Sequence, residues 1–300
     1  MLQKSTYALG TTITIRIEDE TNSINAQAAV NSAFQEIKRL ENMFTRFQSA
    51  SEVGRLNTLG HIGSPPRELL DILARASDYS EKTEASFDIT VKPALDLFED
   101  RRSATFPPAD AEFEAAKRLI DFEKLSVSAR SVSFGQSGMG ITLDCLGKGY
   151  ILDRVAEILR AHRIGSALID GGGTLVAVGS RSDSSPWEIG IMNPTNLNES
   201  IGTIQLEDAA VATSGDYENP YTNDKRYYHI IDPNTASSPL YSHSATVVAP
   251  TASEADPLGL ALMVKAPPEA LNFIDRFAEC ECLIITRNGG LVKSTRFGMI

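Results

Sequence analysis

The sequence predicts an α+β fold. Helical and extended segments follow one another in mixed order, and several extended segments are hairpin-like neighbours. No regular strand–helix–strand alternation runs through the chain, which favours α+β over a parallel, doubly wound sheet. The 300 residues are 42% hydrophobic, which is enough for a large core in one large domain or in two intertwined lobes.

Composition argues against several classes of protein. The formal net charge of −11 disfavours nucleic acid and anionic membrane as main partners. No apolar run approaches the roughly 18 residues that a membrane span needs. The cysteines are odd in number and lack a CxxC or His-rich context, so neither a disulfide framework nor a zinc site is expected. A phosphate-bearing ligand would need local N–H groups, a few basic side chains or a metal.

The first residues bear on localisation. Met1 to Lys4 lead directly into structure-like sequence, without the charged and apolar regions of a signal peptide. As given, the chain is expected to be cytoplasmic. A chain whose native leader had been removed would instead be periplasmic or membrane-anchored.

The first half of the chain predicts both strands and amphipathic helices. Residues 9–17 alternate β-branched apolar with polar residues, as in a half-buried strand. Apolar residues recur at helical spacing over 26–44 and 66–83, and Ser51 is a candidate N-cap of a short helix between them. The remaining predictions are a turn into a strand over 84–91, an exposed loop over 99–112 and a strand over 125–134.

The second half of the chain is predicted to be richer in strands. Its predicted helices span about 149–162, from 253–256 to about 264, and 269–277. A strand, a triple-glycine turn and another strand are expected over 166–179. Further strands are predicted at 187–194, 200–206, 209–213, 228–231, 244–250, 282–286 and 290–293.

Two turns in this half carry the first functional signal. The segment Ala212-Thr-Ser-Gly-Asp-Tyr217 ends a strand in a glycine turn whose N–H groups can point outward. A dozen residues later, Tyr228-His-Ile-Ile-Asp-Pro233 carries His229 into a second turn. An N–H-rich turn beside an imidazole suits an anionic ligand and a proton transfer. The alternative is a satisfied histidine in an ordinary hairpin.

Three further features are candidates for ligand contact. A glycine-rich turn over 138–150 opens a helix with Lys148 at its entry, which suits an anion. Phe47, in a polar stretch, is a candidate stacking surface. Asp256 lies in the first turn of a predicted helix, where the helix dipole alone explains a carboxylate.

Together these segments resemble the ApbE family, the FAD:protein FMN transferases, over essentially the whole chain. The matching motifs are Leu9-Gly-Thr, Phe44-x-Arg-Phe, Ser51-Glu-Val-x-Arg-Leu-Asn57, Phe87-Asp-Ile-Thr-Val, Gly138-Met-x-Ile, Gly147-Lys-Gly-Tyr150, Asp170-Gly-Gly-Gly, Ala212-Thr-Ser-Gly-Asp-Tyr217, His229-Ile-Ile-Asp-Pro233 and Ala249-Pro-Thr-x-x-Glu-Ala-Asp256.

The resemblance implies a fold and an activity. The fold would be a single T-fold-like α+β domain over 1–300, with mixed and antiparallel sheets, flanking helices and an FAD cleft between two intertwined lobes. The enzyme would use magnesium, cleave FAD, attach FMN through a phosphoester to a threonine of an acceptor flavoprotein and release AMP.

The resemblance also implies roles for individual residues. His229 would be the base that activates the acceptor threonine, and Asp256 a magnesium ligand assisted by the backbone at Cys145 and Gly259. The FAD-contacting positions would be Leu9, Phe47, Ser86, Phe87, Asp88, Thr142, Lys148 and Ile230.

The chain departs from the family pattern at the metal site. The family motif usually reads Asp-Leu-Gly-Gly-Ile-Ala-Lys-Gly-Tyr, so Thr142 replaces the aspartate while Asp144 and Cys145 replace the two glycines. Leu260 replaces a threonine that would offer a second oxygen. Two alternatives therefore remain open: a degenerate relative that binds FAD without turnover, and an FAD pyrophosphatase with water as acceptor.

Overall fold

A computed structural model of the protein describes residues 1–18, 23–99 and 107–299. Its helices are α1 (Ser23–Phe44), α2 (Glu52–Leu59), α3 (Arg67–Lys82), α4 (Lys92–Glu99), α5 (Asp110–Lys117), α6 (Leu146–Ala161), α7 (Ala252–Val264) and α8 (Pro267–Ile274). Its strands are β1 (Leu2–Ala8), β2 (Thr11–Ile17), β3 (His61–Gly63), β4 (Leu125–Val127), β5 (Ser131–Phe134), β6 (Ala167–Asp170), β7 (Thr174–Val178), β8 (Trp187–Asn193), β9 (Asn196–Leu206), β10 (Ala210–Gly215), β11 (Ser242–Ala249), β12 (Glu281–Thr286) and β13 (Leu291–Lys293).

The largest sheet has eight strands in the order β1-β2-β6-β7-β10-β11-β12-β13. All neighbouring strands in it are antiparallel. A three-stranded sheet β3-β5-β4 and a two-stranded sheet β8-β9 complete the strands of the described residues. Antiparallel sheets with separate helices confirm the predicted α+β class.

Helices α6 and α7 pack closely against each other, and the packing depends on Gly149. A Cβ at Gly149 would lie 2.5 Å from the carbonyl oxygen of Ala252, the first residue of α7. Asp153, one turn further along α6, accepts hydrogen bonds from the backbone N–H groups of Ala252 (2.8 Å) and Ser253 (2.9 Å). A side chain of one helix thus caps the N-terminus of the other, which fixes how the two helices cross.

The N-terminus of α7 therefore differs from the prediction. The prediction made Ser253 to Asp256 the start of the helix. In the structure the helix begins at Ala252, and the Ser253 hydroxyl donates to Asp153. The cap comes from a residue about one hundred positions away, which local sequence patterns do not reveal.

The predicted strand over 84–91 is wrong. Residues Ile89–Val91 form a 3₁₀ turn that leads into α4. The Asp88 carboxylate accepts from the backbone N–H of Thr90 (2.7 Å) and of Phe122 (3.0 Å). This capping competes with an extended conformation, although the β-branched residues favour a strand locally.

Two other predicted strands are corrected. The strand predicted over 125–134 is a hairpin of β4 and β5, in which the N–H of Ser128 donates to the carbonyl of Ser131 (2.9 Å). Residues 228–231 form only an isolated bridge, between Tyr228 and Pro220. There the Ser238 hydroxyl accepts from the Tyr228 N–H (2.8 Å) and donates to its carbonyl (2.7 Å), and this replaces a strand partner.

The N-terminal half also contains elements that the sequence reading missed. Strand β1 forms an edge of the large sheet. The loop predicted over 99–112 is wrong at its C-terminal end, because α5 begins at Asp110, and α4 ends at Glu99. Within that segment, residues 100–106 lie outside the described residues. The Ser51 N-cap is confirmed, since its hydroxyl accepts from the Gly54 N–H at 2.8 Å. In the described part of the chain, none of the helices combines the length and apolar character that crossing a bilayer requires.

The close approach at Gly149 gives a test of the fold. Gly149→Ala should lower the free energy of unfolding by about 1–3 kcal/mol, because the new methyl group must push α6 and α7 apart. Gly63→Ala is the matched control, since a Cβ there meets nothing within 4 Å. Urea unfolding of both variants checks this, and equal midpoints for the two would contradict the packing described here.

Candidate active site

The triple-glycine turn and the end of β10 lie side by side. The N–H of Thr213 donates to the carbonyl of Gly173 at 2.8 Å, and Ala212 pairs with Thr174. Gly172 and Gly173 have φ of 69° and 81°, a backbone region that glycine enters without steric cost. A Cβ at Gly172 would also lie 2.4 Å from the Thr11 hydroxyl. These glycines permit a tight turn against both β10 and β2.

Asp256 projects from α7 toward this turn. The Thr174 hydroxyl donates to its Oδ1 at 2.6 Å, while its buried Oδ2 has no hydrogen-bond partner. Burial raises the pKa of Asp256, whereas Lys148, the hydrogen bond from Thr174 and the nearby backbone N–H of Gly149 lower it. A buried carboxylate oxygen without a partner is costly, so this atom is a candidate for binding a cation.

Lys148 is the nearby basic group. Its ammonium group donates to the carbonyl of Gly172 at 3.3 Å, which places it over the glycine turn at the start of α6. Its charge lowers the pKa of Asp256, Glu218 and His229. The charge of Lys148 therefore influences the protonation of all three side chains.

The hydrogen bonding of His229 fixes its tautomer. Its Nδ1 lies 2.7 Å from the carbonyl oxygen of Glu218. Because a carbonyl only accepts, Nδ1 carries the hydrogen and Nε2 keeps its lone pair. Burial is the main cause that lowers the pKa of His229, and the carbonyl of Glu218 raises it in part. A neutral imidazole with a basic Nε2 is suited to accept a proton.

Glu218 is a site residue that the sequence reading missed. Its carboxylate oxygen would lie 3.2 Å from a Cβ at Gly173, so the side chain extends over the glycine turn. Burial raises the pKa of Glu218, Lys148 lowers it and Asp256 raises it. The signal that could have found it is its position directly after Tyr217 in the Ser-Gly-Asp-Tyr motif.

The other positions predicted to bind magnesium offer few oxygen ligands. The carbonyl of Cys145 already accepts from the Lys148 N–H at 3.1 Å, and Gly259 lies in α7 against the Ser214 hydroxyl of β10. Leu260 packs against the core. Within residues 1–18, 23–99 and 107–299, no three His, Cys, Asp or Glu side chains group closely enough to hold a metal. Asp256 Oδ2 thus fits a cation, but one held by a single protein carboxylate oxygen.

Three of the residues predicted to contact the flavin nucleotide, Leu9, Phe47 and Ile230, lie in surroundings that differ from one another. Leu9 has φ of 55° in the turn between β1 and β2, and its N–H donates to the Glu41 carboxylate at 2.7 Å. Phe47 is 71% exposed, so its ring is available to a ligand. Ile230 is buried in the main core, next to His229.

Four further positions predicted to contact the flavin nucleotide, Ser86, Phe87, Asp88 and Thr142, form a second group. Thr142 and the 3₁₀ turn after Asp88 are neighbours, because the Thr142 N–H donates to the Ile89 carbonyl at 2.8 Å. Ser86 and Phe87, which precede that turn, are buried. The Asp88 carboxylate is occupied by hydrogen bonds within the protein, so its contribution to FAD contact stays a prediction. The Thr142 hydroxyl accepts from the Asp144 N–H at 3.1 Å.

A cavity of about 520 Å³ is lined in part by residues that precede Ile141 and Thr142 in the chain. Its lining includes Asn57, Lys92 and Gly140. Neither His229 nor Asp256 lines it. The Asn57 side-chain amide makes two hydrogen bonds to the Ile141 backbone. It donates to the carbonyl (2.9 Å) and accepts from the N–H (2.8 Å). The cavity is therefore separate from the histidine but shares a wall with the segment that carries Thr142.

Comparison with known proteins gives a consistent result. The model of the ApbE family matches residues 9–284. A curated relative from Treponema pallidum, named FAD:protein FMN transferase, is 28% identical, with 94% of this chain and 83% of the relative covered.

Two solved structures share the fold over nearly the whole chain. The ApbE protein of Thermotoga maritima has a TM-score of 0.90 and 26% identity, covering 98% of this chain and 97% of that one. The flavin transferase ApbE from Vibrio cholerae has a TM-score of 0.85 and 25% identity, covering 99% and 97%. The architecture expected from the sequence motifs is confirmed by these matches.

The environment of His229 predicts its titration. Its pKa should lie below the ordinary histidine value of about 6.5, because burial disfavours the imidazolium form. The unfolded chain then binds the proton more tightly, so this residue makes folding less favourable as the pH falls below about 6.5. Two-dimensional NMR of the imidazole nitrogens measures the value, with the signal assigned by its loss in His229→Gln. A midpoint at or above the ordinary value would contradict this environment.

Proposed function

The chain belongs to the ApbE family, and on that premise we propose that it is an FAD:protein FMN transferase. It would bind FAD in a cleft between two lobes of one domain, move the FMN half onto a threonine of an acceptor flavoprotein and release AMP. The family match over residues 9–284 supports the assignment. The observation that carries it is the orientation of His229, whose Nδ1 donates to the Glu218 carbonyl at 2.7 Å and leaves Nε2 free to accept a proton.

His229 would act as the general base. Its Nε2 accepts the proton of the threonine hydroxyl, and the threonine oxygen bonds to the phosphorus of the FMN half. The bond from that phosphorus to the bridging oxygen breaks, and AMP leaves with that oxygen. The Glu218 carbonyl, which accepts from Nδ1–H at 2.7 Å, keeps the ring oriented and stabilises the imidazolium that forms.

Lys148 would bind the pyrophosphate. It lies in the first turn of α6, where backbone N–H groups also favour an anion. In a protein of net charge −11, such a local cation is needed to attract an anionic substrate. The carboxylates of Glu218 and Asp256 near it would hold the ammonium group in place between turnovers.

Asp256 would be the protein's main ligand for magnesium. Its Oδ2, buried without a hydrogen-bond partner, is an anionic oxygen of the kind that magnesium prefers, and the backbone carbonyls of Cys145 and Gly259 would assist. When bound, magnesium supplies charge neutralisation at the pyrophosphate. The flavin nucleotide would contact Leu9, Phe47, Ser86, Phe87, Asp88, Thr142, Lys148 and Ile230.

The proposed function predicts a covalent product. Incubation with FAD, magnesium and a threonine-containing acceptor should raise the acceptor's mass by FMN less water, with AMP released in equal amount. His229→Ala should slow transfer about 100- to 10,000-fold, the usual cost of removing a general base, and leave FAD affinity nearly intact. Intact mass spectrometry and flavin fluorescence titration measure the two effects.

The possible results separate the three candidate activities. FMN and AMP without an acceptor adduct would identify water as the acceptor and the protein as a pyrophosphatase. Saturable FAD binding without turnover at any magnesium concentration would identify a degenerate flavin-binding relative. Equal loss of binding and turnover in His229→Ala would make His229 structural rather than catalytic.

The metal site gives a second prediction. Leu260 lies one helical turn beyond Asp256, on the same face of α7, and offers no oxygen. Leu260→Thr, alone or with Thr142→Asp, should therefore increase magnesium affinity in the FAD complex and raise transfer at low magnesium. Calorimetry of magnesium binding and transfer rates against magnesium concentration measure both.

Leu271→Thr is the matched control for this prediction. Leu271 is also a partly buried leucine packed against the core, but it lies in α8. A hydroxyl there should change neither magnesium affinity nor its effect on transfer. Efficient parental turnover at low magnesium, unchanged by the restored oxygens, would show that another group completes the site.

A further inference from the structure

We propose that Arg46 is a positioning residue that holds Phe47 as a one-sided stacking surface for the flavin ring of FAD. The inference rests on the proposed function and concerns one part of the same site. It adds a role for Arg46, and for Asp144 as its partner.

Arg46 is buried to an extent that is unusual for arginine. Its side chain is 6% exposed, and its guanidinium is bound by two carboxylates. Nη1 and Nη2 donate to the two oxygens of Glu99 at 2.9 and 2.6 Å, and Nε donates to Asp144 at 2.7 Å. A bidentate carboxylate with a second carboxylate at Nε fixes both the position and the plane of the guanidinium.

Phe47 lies against this fixed cation. The central carbon of the Arg46 guanidinium is 4.2 Å from the centroid of the Phe47 ring, which is within cation–π range. The Phe47 side chain is nevertheless 71% exposed. One face of the ring is therefore covered by Arg46, while the opposite face is open to an aromatic ligand.

The cluster of Arg46, Glu99 and Asp144, here called the Arg46 cluster, joins three segments. Arg46 follows α1, Glu99 ends α4, and Asp144 lies in the turn before α6. Asp144 precedes Lys148 by four residues, so the cluster lies next in the chain to the first turn of α6, which carries the proposed pyrophosphate contact. The cluster thus sets the distance between the aromatic surface and the lysine.

That distance must suit a single ligand. FAD carries its flavin ring and its pyrophosphate in one molecule, so both contacts are satisfied together only if their separation is correct. Residues locked by packing and ion pairs achieve this without an ordering cost at binding. The Asp144 carboxylate binds Arg46 Nε at 2.7 Å, so the segment that leads into α6 is tied directly to the residue before Phe47.

Binding of FMN and of ADP, which each carry one part of FAD, tests the proposal. FMN reports on the flavin contact and ADP on the pyrophosphate contact. Arg46→Met should weaken FMN binding about tenfold, the scale of a lost cation–π and ion-pair arrangement, and change ADP affinity by less than about twofold. Asp144→Asn, at a position 46% exposed, should weaken FMN about threefold without endangering the fold.

Arg39→Met is the matched control. Arg39 also pairs with two carboxylates, those of Glu36 and Glu68, but its side chain is 45% exposed. Its loss should leave both FMN and ADP affinity unchanged. FMN fluorescence quenching and ADP calorimetry give the affinities, and thermal unfolding of each variant identifies any general loss of structure.

Several results would overturn the proposal. Unchanged FMN affinity in Arg46→Met and Asp144→Asn would do so while leaving the transferase assignment intact. Equal weakening of FMN and ADP would reveal a general structural role, and loss of ADP affinity alone would place the adenine ring on Phe47. If Arg46→Met does not fold, Asp144→Asn decides alone. A parent protein that binds no FMN would overturn the proposed function together with this inference.

Discussion

The close approach of α6 and α7 is the constraint on which the candidate site depends. Gly149 allows the two backbones to meet, because any Cβ there would lie 2.5 Å from the Ala252 carbonyl oxygen. Asp153 then caps α7 from α6. The first turn of α6 carries Lys148 and the first turns of α7 carry Asp256, so one packing contact brings the cation and the buried carboxylate to the same glycine turn. Lys148 and Asp256 are thus placed by helices, whereas His229 and Glu218 lie in the irregular segment between β10 and β11.

The charges in the site compensate one another while FAD is absent. Burial raises the pKa values of Asp256 and Glu218, and Lys148 opposes that rise in both. This arrangement would reconcile a strongly acidic protein with the proposed anionic substrate, because the positive charge of Lys148 is local. The Oδ2 of Asp256 has no hydrogen-bond partner, which agrees with the proposal that it binds a cation. A cation that arrives with the substrate would complete the balance, which fits the shortage of other oxygen ligands around it.

The two strands that were wrongly predicted from the sequence have a common physical explanation. Residues 84–91 and 228–231 are β-branched enough to predict strands, yet Asp88 receives a hydrogen bond from Phe122, and Ser238 binds both backbone groups of Tyr228. In each segment a polar side chain satisfies backbone groups that a strand partner would otherwise satisfy. Ser238 lies ten residues from Tyr228, beyond the reach of local patterns, whereas the bond from the Thr90 N–H to Asp88 is local.

The sequence by itself determined the fold class and the family, and it predicted His229, Lys148 and Asp256 as site residues because these lie in motifs whose local chemistry is readable. Only the tertiary structure decided the tautomer of His229, the unpaired oxygen of Asp256 and the place of Glu218 in the site. The Thr174 hydroxyl that binds Asp256 is 82 residues away in the chain, and the guanidinium beside Phe47 is held by Asp144, 98 residues from Arg46. Such contacts follow from the packing of helices on the sheet, which no short stretch of sequence encodes.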